Sequence, residues 1–288
     1  MKVAFIGLGA MGFPMAGHIA SQGFKVNVFN RSQAKSQSWV EKHKGCAFPT
    51  PRLAVSGCDV VCICVGNDDD VRSIVFGDDG VLAGLNKGAL VIDHTTTSAS
   101  LAKELHKAFA TSQIDFLDAP VSGGQAGAEN GKLTTMVGGD SQVYSKATAV
   151  LDCYSLKHQL MGDVGAGQTT KMVNQICIAG VLQGLSEALH FAVNAGLNTD
   201  QVVDVISKGA AQSWQMENRA HTMVKGEFDF GFAVDWMRKD LKIVLEEANN
   251  NQSSLPLTAM VDQFYAKVQK QGGGRFDTSS LITLLNEK

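Results

Sequence analysis

Three glycines near the start of the chain have the spacing of a dinucleotide-binding turn. Gly7, Gly9 and Gly12 follow a short apolar run and precede residues with helical periodicity. In such a unit the first glycine allows the tight turn out of the strand, the second lets backbone approach a pyrophosphate, and the third lets the helix pack on the sheet. The N–H groups at the helix N-terminus favour the phosphate charge. The segment therefore predicts a dinucleotide site formed by Gly7, Leu8, Gly9, Ala10, Met11 and Gly12.

The end of the predicted second strand bears on which dinucleotide is bound. NAD enzymes usually place a carboxylate there, which accepts hydrogen bonds from the ribose. This chain has Asn30, Arg31 and Ser32 at that point, with Lys35 one turn later. Arg31 can pair with a phosphate dianion, and no carboxylate repels it. The pattern favours NADP, with NAD as the alternative. A second interpretation is a solvated basic helix start and a relaxed cofactor preference.

Two further loops follow predicted strands. Val65, Gly66 and Asn67 end the apolar run of residues 59–65, at the edge where open α/β sheets bind ligands. Thr96 lies in the block DHTTTS of residues 93–98, whose hydroxyls are expected to contact ribose or nicotinamide. The alternative is that these hydroxyls only cap the next helix. His94, in the same block, is the one histidine that we expect beside the cleft.

A glycine-rich loop predicts an anion site. Ser122, Gly123 and Gly124 can present a hydroxyl and successive backbone N–H groups to a carboxylate. The alternative interpretation is a flexible hairpin loop, since such loops are also rich in glycine.

Two lysines are candidates for chemistry. Lys171 and Asn174 are three residues apart near the start of a predicted long helix, so they share one helix face. A lysine facing a partly desolvated cleft has a lowered pKa and can act as general acid or base. Taken alone, a lysine near a helix N-terminus is more often solvated. Lys239 and Asp240, near the start of another predicted helix, are similarly ambiguous.

Composition excludes several classes of function. The 288-residue chain is 44% hydrophobic and 18% charged with a net charge of −3, so it has no basic excess that would indicate nucleic acid. No apolar run approaches 18 residues, and we expect no membrane partner. Because no secretory segment precedes the first strand and the six cysteines form no C-x-x-C motif, we expect a cytoplasmic protein without a metal site.

The alternation of strands and helices predicts two domains. Residues 1–163 have the pattern of a doubly wound Rossmann α/β domain that binds NADP. Residues 164–288 have the pattern of an all-helical substrate and dimerisation domain, entered through a long helix at about residues 168–194 and ending in a helix at residues 278–286. We expect the cleft at the domain junction to bind ligand. The length of the apolar helix favours a homodimer or homotetramer.

Four blocks, in order, resemble the β-hydroxyacid dehydrogenase family. They are GLGAMGFPMA from Gly7, DAPVSGGQAGAENGKLTTMVGG from Asp118, GAGQTTKMVNQ from Gly165 and KDLKIVLEEA from Lys239. The resemblance covers nearly the whole chain. It implies an NAD(P)-dependent dehydrogenase or semialdehyde reductase. One block departs from the family: members often carry D-x-S-T where this chain has DHTTTS.

The resemblance also implies roles for individual residues. Lys171 matches the catalytic lysine that exchanges a proton with the carbonyl oxygen, and Ser122, with the two glycines after it, matches the substrate-carboxylate site. Asn174 would add a hydrogen bond to substrate and Asp240 would support these groups. Thr96 and Lys239 match residues that meet the cofactor. Apart from the resemblance, we expect recognition of the substrate side chain to fall on Trp214, Phe232 and Asp235.

Together these features predict hydride transfer between NADP(H) and a small carboxylate-bearing substrate. The substrate class is a 3- or 4-carbon hydroxy acid or its semialdehyde, as in 3-hydroxyisobutyrate dehydrogenases. Two alternatives stay open from the sequence. One is an imine reductase of the same architecture, against which Lys171 argues, and the other is a non-catalytic NADP-binding sensor.

Overall fold

The structure, a computed structural model, describes residues 1–285. They form two compact units, which divide between Lys171 and Met172. The strands are β1 (Lys2–Ile6), β2 (Lys25–Phe29), β3 (Cys46–Ala47), β4 (Val60–Ile63), β5 (Leu90–Asp93), β6 (Asp115–Asp118), β7 (Val121–Ser122), β8 (Leu133–Gly138) and β9 (Ser155–Gly162).

The helices alternate with these strands and then continue alone. Those of the first unit are α1 (Gly12–Ser21), α2 (Gln33–Lys42), α3 (Pro51–Val55), α4 (Asp68–Phe76), α5 (Val81–Gly84), α6 (Ala99–Thr111), α7 (Gly124–Glu129) and α8 (Ser141–Leu151). The long helix α9 (Ala166–Asn194) leads to α10 (Thr199–Ile206), α11 (Trp214–Lys225), α12 (Val234–Asn251) and α13 (Pro256–Lys270). Two 3-10 helices follow at Gly273–Arg275 and Thr278–Leu285.

One sheet organises the first unit, in the order β3-β2-β1-β4-β5-β6-β8-β7, with β9 paired to β8. The strands from β3 to β6 are parallel, so their carboxyl ends meet at one edge of the sheet. This confirms the predicted Rossmann α/β fold. The far side departs from a uniform parallel sheet, because β8 runs antiparallel to both β6 and β7.

Side chains of alternate strand positions build a core on each face of the sheet. In β1, Val3 and Phe5 pack into one apolar cluster, whereas Ala4 and Ile6 pack into the other. All four are 0% exposed. Burial on both faces explains why these strands are continuous apolar runs in the sequence.

The second unit is helical, and α9 supplies much of its core. Ala179 and Leu182 pack with α12 and α13, whereas Leu185 and Leu189 pack with α10 and α11. By length and composition alone α9 could cross a membrane, with a mean hydropathy of 1.5 over a window that is 39% buried. Core helices of soluble proteins meet the same criterion, so the expectation of no membrane partner stays a prediction.

Two boundaries differ from those read in the sequence. The compact units divide within α9, after Lys171, whereas the sequence pattern changes at residue 163. The predicted helix at residues 278–286 is a 3-10 helix as far as Leu285, and residue 286 lies outside the described residues. The Asp277 carboxylate holds the first turn of this helix, since it accepts hydrogen bonds from the N–H and hydroxyl of Ser279 at 3.0 and 2.6 Å.

Candidate active site

The first and third glycines of the nucleotide turn are required by packing. Gly7 has φ +99°, and a Cβ there would collide with the carbonyl oxygen of Cys64, the residue that follows the adjacent strand β4. A Cβ at Gly12 would collide with the carbonyl oxygen of Gly7 and lie 2.8 Å from the Phe5 ring. Any larger residue at either position would therefore push α1 away from β1 and β4.

Gly9 is different, because a Cβ there would meet no protein atom within 4 Å. Its backbone borders open space beside the start of α1, where Met11 makes no side-chain capping hydrogen bond. An uncapped helix N-terminus next to an open glycine backbone fits a pyrophosphate, which needs backbone N–H donors at close range. The residues present therefore fit the dinucleotide that the sequence predicts.

Of the residues that follow β2, one supports the glycine turn and the others are exposed to solvent. Asn30 fixes the glycine turn, because its Oδ1 accepts the N–H of Leu8 at 2.9 Å. Arg31 is 92% exposed and lies 3.7 Å from a carboxylate oxygen of Asp70. Ser32 is the N-cap of α2 but its side chain makes no cap hydrogen bond, and the first turn holds no acidic residue. Arg31, Ser32 and the exposed Lys35 are thus open to an anion.

The loops after β4 and β5 each provide a helix cap, and a threonine hydroxyl in the second loop bonds backbone of the first. Asn67 caps α4, with its Oδ1 accepting the N–H of Asp70 at 2.9 Å, and Ser98 caps α6. The Thr95 hydroxyl accepts the N–H of Val65 at 3.1 Å and so links the two loops. Thr96 is half-buried between these. The alternative from the sequence was that the hydroxyls of the DHTTTS block only cap the next helix. In the structure Ser98 makes this cap.

His94 lies in the core rather than beside a cleft, so that expectation is wrong. It is 2% exposed and stacks at 6.5 Å on the ring of Phe5. Its Nδ1 lies 2.7 Å from the carbonyl oxygen of Ala119, and its Nε2 lies 2.9 Å from the hydroxyl of Tyr154. These contacts assign the proton to Nδ1, with the Tyr154 hydroxyl as donor to Nε2. The neutral ring holds the strand end that leads to the glycine-rich loop.

The burial of His94 makes the stability of the folded protein depend on pH. It lowers the pKa of His94 from 6.5 to about 4, against the opposing effect of the Ala119 hydrogen bond. The unfolded chain therefore takes up a proton below about pH 6.5 that the folded protein excludes, so stability falls on acidification. Burial raises the pKa of the neighbouring Asp93 to about 7, which acts in the opposite direction.

We expect the variant His94→Gln to lose this part of the acid sensitivity. Urea unfolding from about pH 7 to about pH 5 should cost the wild type about 2 kcal/mol more than the variant, because only the wild type has the histidine to titrate. The contribution of Asp93 is common to both proteins and cancels in the comparison. Equal losses in the two proteins would contradict a buried neutral His94.

The predicted anion loop has the backbone of a turn with successive glycines. Ser122 ends β7, and Gly123 and Gly124 have φ angles of +131° and +62°. A Cβ at Gly124 would meet no protein atom within 4 Å, so this backbone is open to a ligand. The six-residue helix α7 begins at Gly124, and the imidazole Nε2 of His18 in α1 lies 3.0 Å from the carbonyl oxygen of Ala128 near the end of α7.

Asp118, whose role the sequence did not reveal, anchors the start of the long helix. It is fully buried at the end of β6, and its two carboxylate oxygens accept the N–H groups of Gly165 at 2.7 Å and Gln168 at 2.9 Å. Burial raises the pKa of this carboxyl against those hydrogen bonds. The Gln168 amide also bonds backbone of the DHTTTS block, at Thr95 and Thr97.

This anchor determines where Lys171 lies. The lysine follows Gln168 by one turn of α9 and is only 7% exposed. A lysine so buried is not the solvated residue that the alternative interpretation supposes.

In the second unit, Gln175 joins three predicted site residues, although it was missed in the sequence. Its Oε1 accepts the amide of Asn174 at 2.8 Å, and its Nε2 donates to Asp240 at 2.7 Å. The other Asp240 oxygen lies 2.9 Å from the ammonium of Lys239. Asp240 is 2% exposed, so this carboxylate is buried between an amide and a cation. An amide gives no motif signal, and only the fold reveals its position.

The predicted residues for the substrate side chain occupy different settings. Trp214 begins α11 and is 48% exposed. Phe232 is half-buried just before α12, and its N–H donates to Asp277 at 2.9 Å. Asp235 accepts the Gln269 amide at 2.6 Å, so its carboxylate serves the packing of α12 on α13. Among the described residues no group of His, Cys, Asp or Glu could hold a metal ion.

Two family models together match nearly the whole chain. The NAD binding domain of 6-phosphogluconate dehydrogenase matches residues 2–162, and the NAD-binding domain of NADP-dependent 3-hydroxyisobutyrate dehydrogenase matches residues 165–285.

Individual proteins are similar over the same length. An uncharacterized oxidoreductase of Shewanella frigidimarina is 58% identical, covering 99% of this chain and 98% of its own. The 2-(hydroxymethyl)glutarate dehydrogenase of Eubacterium barkeri is 34% identical, covering 98% and 94%. The solved structure of Mycobacterium tuberculosis 3-hydroxyisobutyrate dehydrogenase with L-serine has a TM-score of 0.89 and 29% identity, with 99% of each chain covered.

These matches decide between the enzyme and the non-catalytic sensor, since the named relatives are dehydrogenases. The glycine turn, the DAPVSGG loop and the Asp118-anchored helix that bears Lys171 correspond to three of the four sequence blocks that carry the resemblance. The chain belongs to the β-hydroxyacid dehydrogenase family and is an NAD(P)-dependent oxidoreductase of the 3-hydroxyisobutyrate dehydrogenase-like type.

Proposed function

We propose that the protein transfers hydride between NADP(H) and a 3- or 4-carbon hydroxy acid or its semialdehyde. The observation that carries this proposal is the buried position of Lys171, one turn beyond the helix start that Asp118 holds. A buried amine on a rigid helix is suited to exchange a proton at a fixed point. The open glycine backbone of residues 123 and 124 supports a carboxylate on the substrate.

The proposed roles follow from donor chemistry. Ser122, Gly123 and Gly124 hold the carboxylate with a hydroxyl and backbone N–H groups. Lys171 gives a proton to the carbonyl oxygen during reduction and takes it back during oxidation. The nicotinamide supplies or accepts the hydride when the cofactor is bound. Asn174 adds a hydrogen bond to substrate, and Gln175 orients its amide through the 2.8 Å contact.

Lys239 and Thr96 complete the proposed cofactor contacts. The Lys239 ammonium is held 2.9 Å from Asp240, which fixes a long flexible side chain in one direction. Val65, Gly66 and Asn67 are proposed to line the nucleotide from the carboxyl end of β4, the edge at which open α/β sheets bind ligands. These assignments extend the glycine-turn site to the whole dinucleotide.

We further propose that NADP is preferred to NAD. The basis is the exposed Arg31 guanidinium beside Ser32 and Lys35, with no acid in the first turn of α2. The family description that matches residues 165–285 is also that of an NADP-dependent enzyme. A charge-assisted pair with the 2′-phosphate would have to displace the 3.7 Å contact of Arg31 with Asp70.

The variant Arg31→Ala should raise the KM for NADPH about 10- to 100-fold and leave that for NADH unchanged. A hydrogen bond to a charged group contributes about 1.5–3 kcal/mol, and only NADPH carries the phosphate that makes it. Steady-state kinetics with both cofactors checks this. Arg52→Ala is the matched control, because Arg52 is an exposed arginine in α3. Equal effects of Arg31→Ala on the two cofactors would contradict the preference.

We also propose self-association as a homodimer or homotetramer. Its support is apolar surface in the second unit, where Val181 and Phe191 of α9 are 38% and 71% exposed and Val205 of α10 is 73% exposed. Light scattering should give a mass of two or four chains, and a monomer at micromolar concentration would contradict the proposal.

The reaction itself is tested by following oxidation of NADPH and NADH with a panel of carbonyl substrates. The panel comprises glyoxylate, succinic semialdehyde, tartronate semialdehyde and methylmalonate semialdehyde, with a cyclic imine as the contrasting substrate. Turnover of at least one carboxylate-bearing aldehyde and none of the imine is expected. Turnover of the imine alone would replace the proposed function with that of an imine reductase.

A further inference from the structure

Arg219 of α11 is held between two aromatic rings. The centre of its guanidinium lies 4.9 Å from the ring centroid of Trp214 and 4.8 Å from that of Phe230. Both distances are within the range of cation–π attraction. The side chain is only 18% exposed, so the rings and the surrounding backbone shield it from water.

The charge of Arg219 is balanced by a buried carboxylate. Its Nε lies 3.3 Å from Oδ1 of Asp277, whose side chain is 2% exposed. The other oxygen, Oδ2, accepts the N–H of Phe232 at 2.9 Å. One carboxylate thus connects the arginine on α11 to the backbone of the segment before α12.

Gly231 lies between Phe230 and Phe232, and its backbone packs tightly against the Arg219–Asp277 ion pair. It has φ +71°, and a Cβ there would collide with Oδ2 of Asp277 and lie 3.1 Å from Nη2 of Arg219. The loop backbone therefore rests against the ion pair itself. On either side of Gly231, the Phe230 ring contacts Arg219 and the Phe232 N–H donates to Asp277, so the ion pair holds this segment at three successive residues.

We propose that Arg219 is a positioning residue, which holds the Trp214 ring directly and the backbone of Phe232 through Asp277, and thereby sets which substrate side chain the enzyme accepts. The inference rests on the proposed function together with the sequence-based expectation that Trp214 and Phe232 meet the substrate side chain. Arg219 itself acts through these residues. Neither its cation–π contacts nor its ion pair with Asp277 has a part in the proton and hydride steps.

The planar guanidinium is needed for both halves of this arrangement. It can stack on an aromatic ring on each face while its edge meets a carboxylate. A lysine keeps the positive charge but cannot stack on two rings at once. The conservative variant Arg219→Lys therefore retains a cation near Asp277 and releases the aromatic pair.

The first test compares substrates of different bulk. In Arg219→Lys, we expect the ratio of kcat/KM for glyoxylate to that for methylmalonate semialdehyde to change at least tenfold, mainly through KM, with the affinity for NADPH unchanged. Arg238→Lys is the matched control, since Arg238 makes a comparable fork to Asp262 at 2.9 Å and to Gln269 at 3.1 Å, between α12 and α13. An unchanged ratio in Arg219→Lys, or an equal change in Arg238→Lys, would overturn the proposal.

The second test needs no substrate. The chain has three tryptophans, and fluorotryptophan labelling gives each its own ¹⁹F resonance, with that of Trp214 assigned from its loss in Trp214→Phe. The Trp214 resonance should shift in Arg219→Lys while those of Trp39 and Trp236 stay in place. An unmoved Trp214 resonance would overturn the positioning role. If the wild type reduced no carbonyl substrate, the proposed function would fail while this measurement still tested Arg219.

Discussion

The variant Lys171→Ala should lower kcat at least about 100-fold while NADPH still binds, because general acid–base catalysis by a positioned side chain is worth that much. Lys171 is 7% exposed near the start of α9, whose N-terminus is held by hydrogen bonds to the Asp118 carboxylate. The substitution should therefore leave the helix in place. Stopped-flow measurement of NADPH oxidation, together with fluorescence titration of NADPH, separates loss of chemistry from loss of binding.

Lys146→Ala provides the control for removing a lysine from the first unit. Lys146 lies in α8 with 63% of its side chain exposed and pairs with Asp115 at 2.8 Å. Exposed ion pairs contribute little, so turnover should be unchanged. Near-normal turnover in Lys171→Ala would remove the lysine from the chemistry, and equal losses in both variants would indicate a general effect of the lost charge.

Alanine at Gly9 and at Gly12 should affect two different properties. Gly12→Ala places a methyl group against the carbonyl of Gly7 and the Phe5 ring, so it should destabilise the first unit by about 1–3 kcal/mol or more. Gly9→Ala meets no protein atom within 4 Å and should leave unfolding unchanged. Its methyl group would instead occupy the space of the pyrophosphate, and we expect the affinity for NADPH to fall at least about tenfold.

Urea unfolding and isothermal titration with NADPH distinguish these effects. The two variants carry the same added methyl group within one turn, so each is the control for the other. A Gly9→Ala protein that bound NADPH normally would show that the open backbone is not the pyrophosphate site. A Gly12→Ala protein as stable as the wild type would contradict the packing of α1 on β1.

The strands and the nucleotide turn could be predicted because local sequence determines them. Strands buried on both sheet faces give continuous apolar runs in the sequence. Gly7 and Gly12 leave no room for a Cβ, because the nearest atoms belong to Cys64 after strand β4 and to Gly7 itself. Two short elements near the anion loop were missed, because local sequence does not determine them. The two-residue strand β7 and the six-residue helix α7 are too short to establish a period.

The support of the candidate site could not be predicted, because it depends on contacts distant in sequence. Asp118 bonds backbone that follows it by 47 and 50 residues, and Gln175 bonds Asp240 at a separation of 65. His94 was misplaced because a residue at a strand end can face either the edge or the core. Its bonds to Ala119 and Tyr154 hold it in the core.

The destination of the hydride tests the central proposal most directly. Wild-type protein would be mixed with succinic semialdehyde and NADPH that carries deuterium at both C4 positions of the nicotinamide, and the product would be examined by mass spectrometry and NMR. We predict one deuterium on the terminal carbon of the product alcohol, with the same product formed far more slowly by Lys171→Ala. Oxidation of the cofactor without deuterium on that carbon would contradict the account.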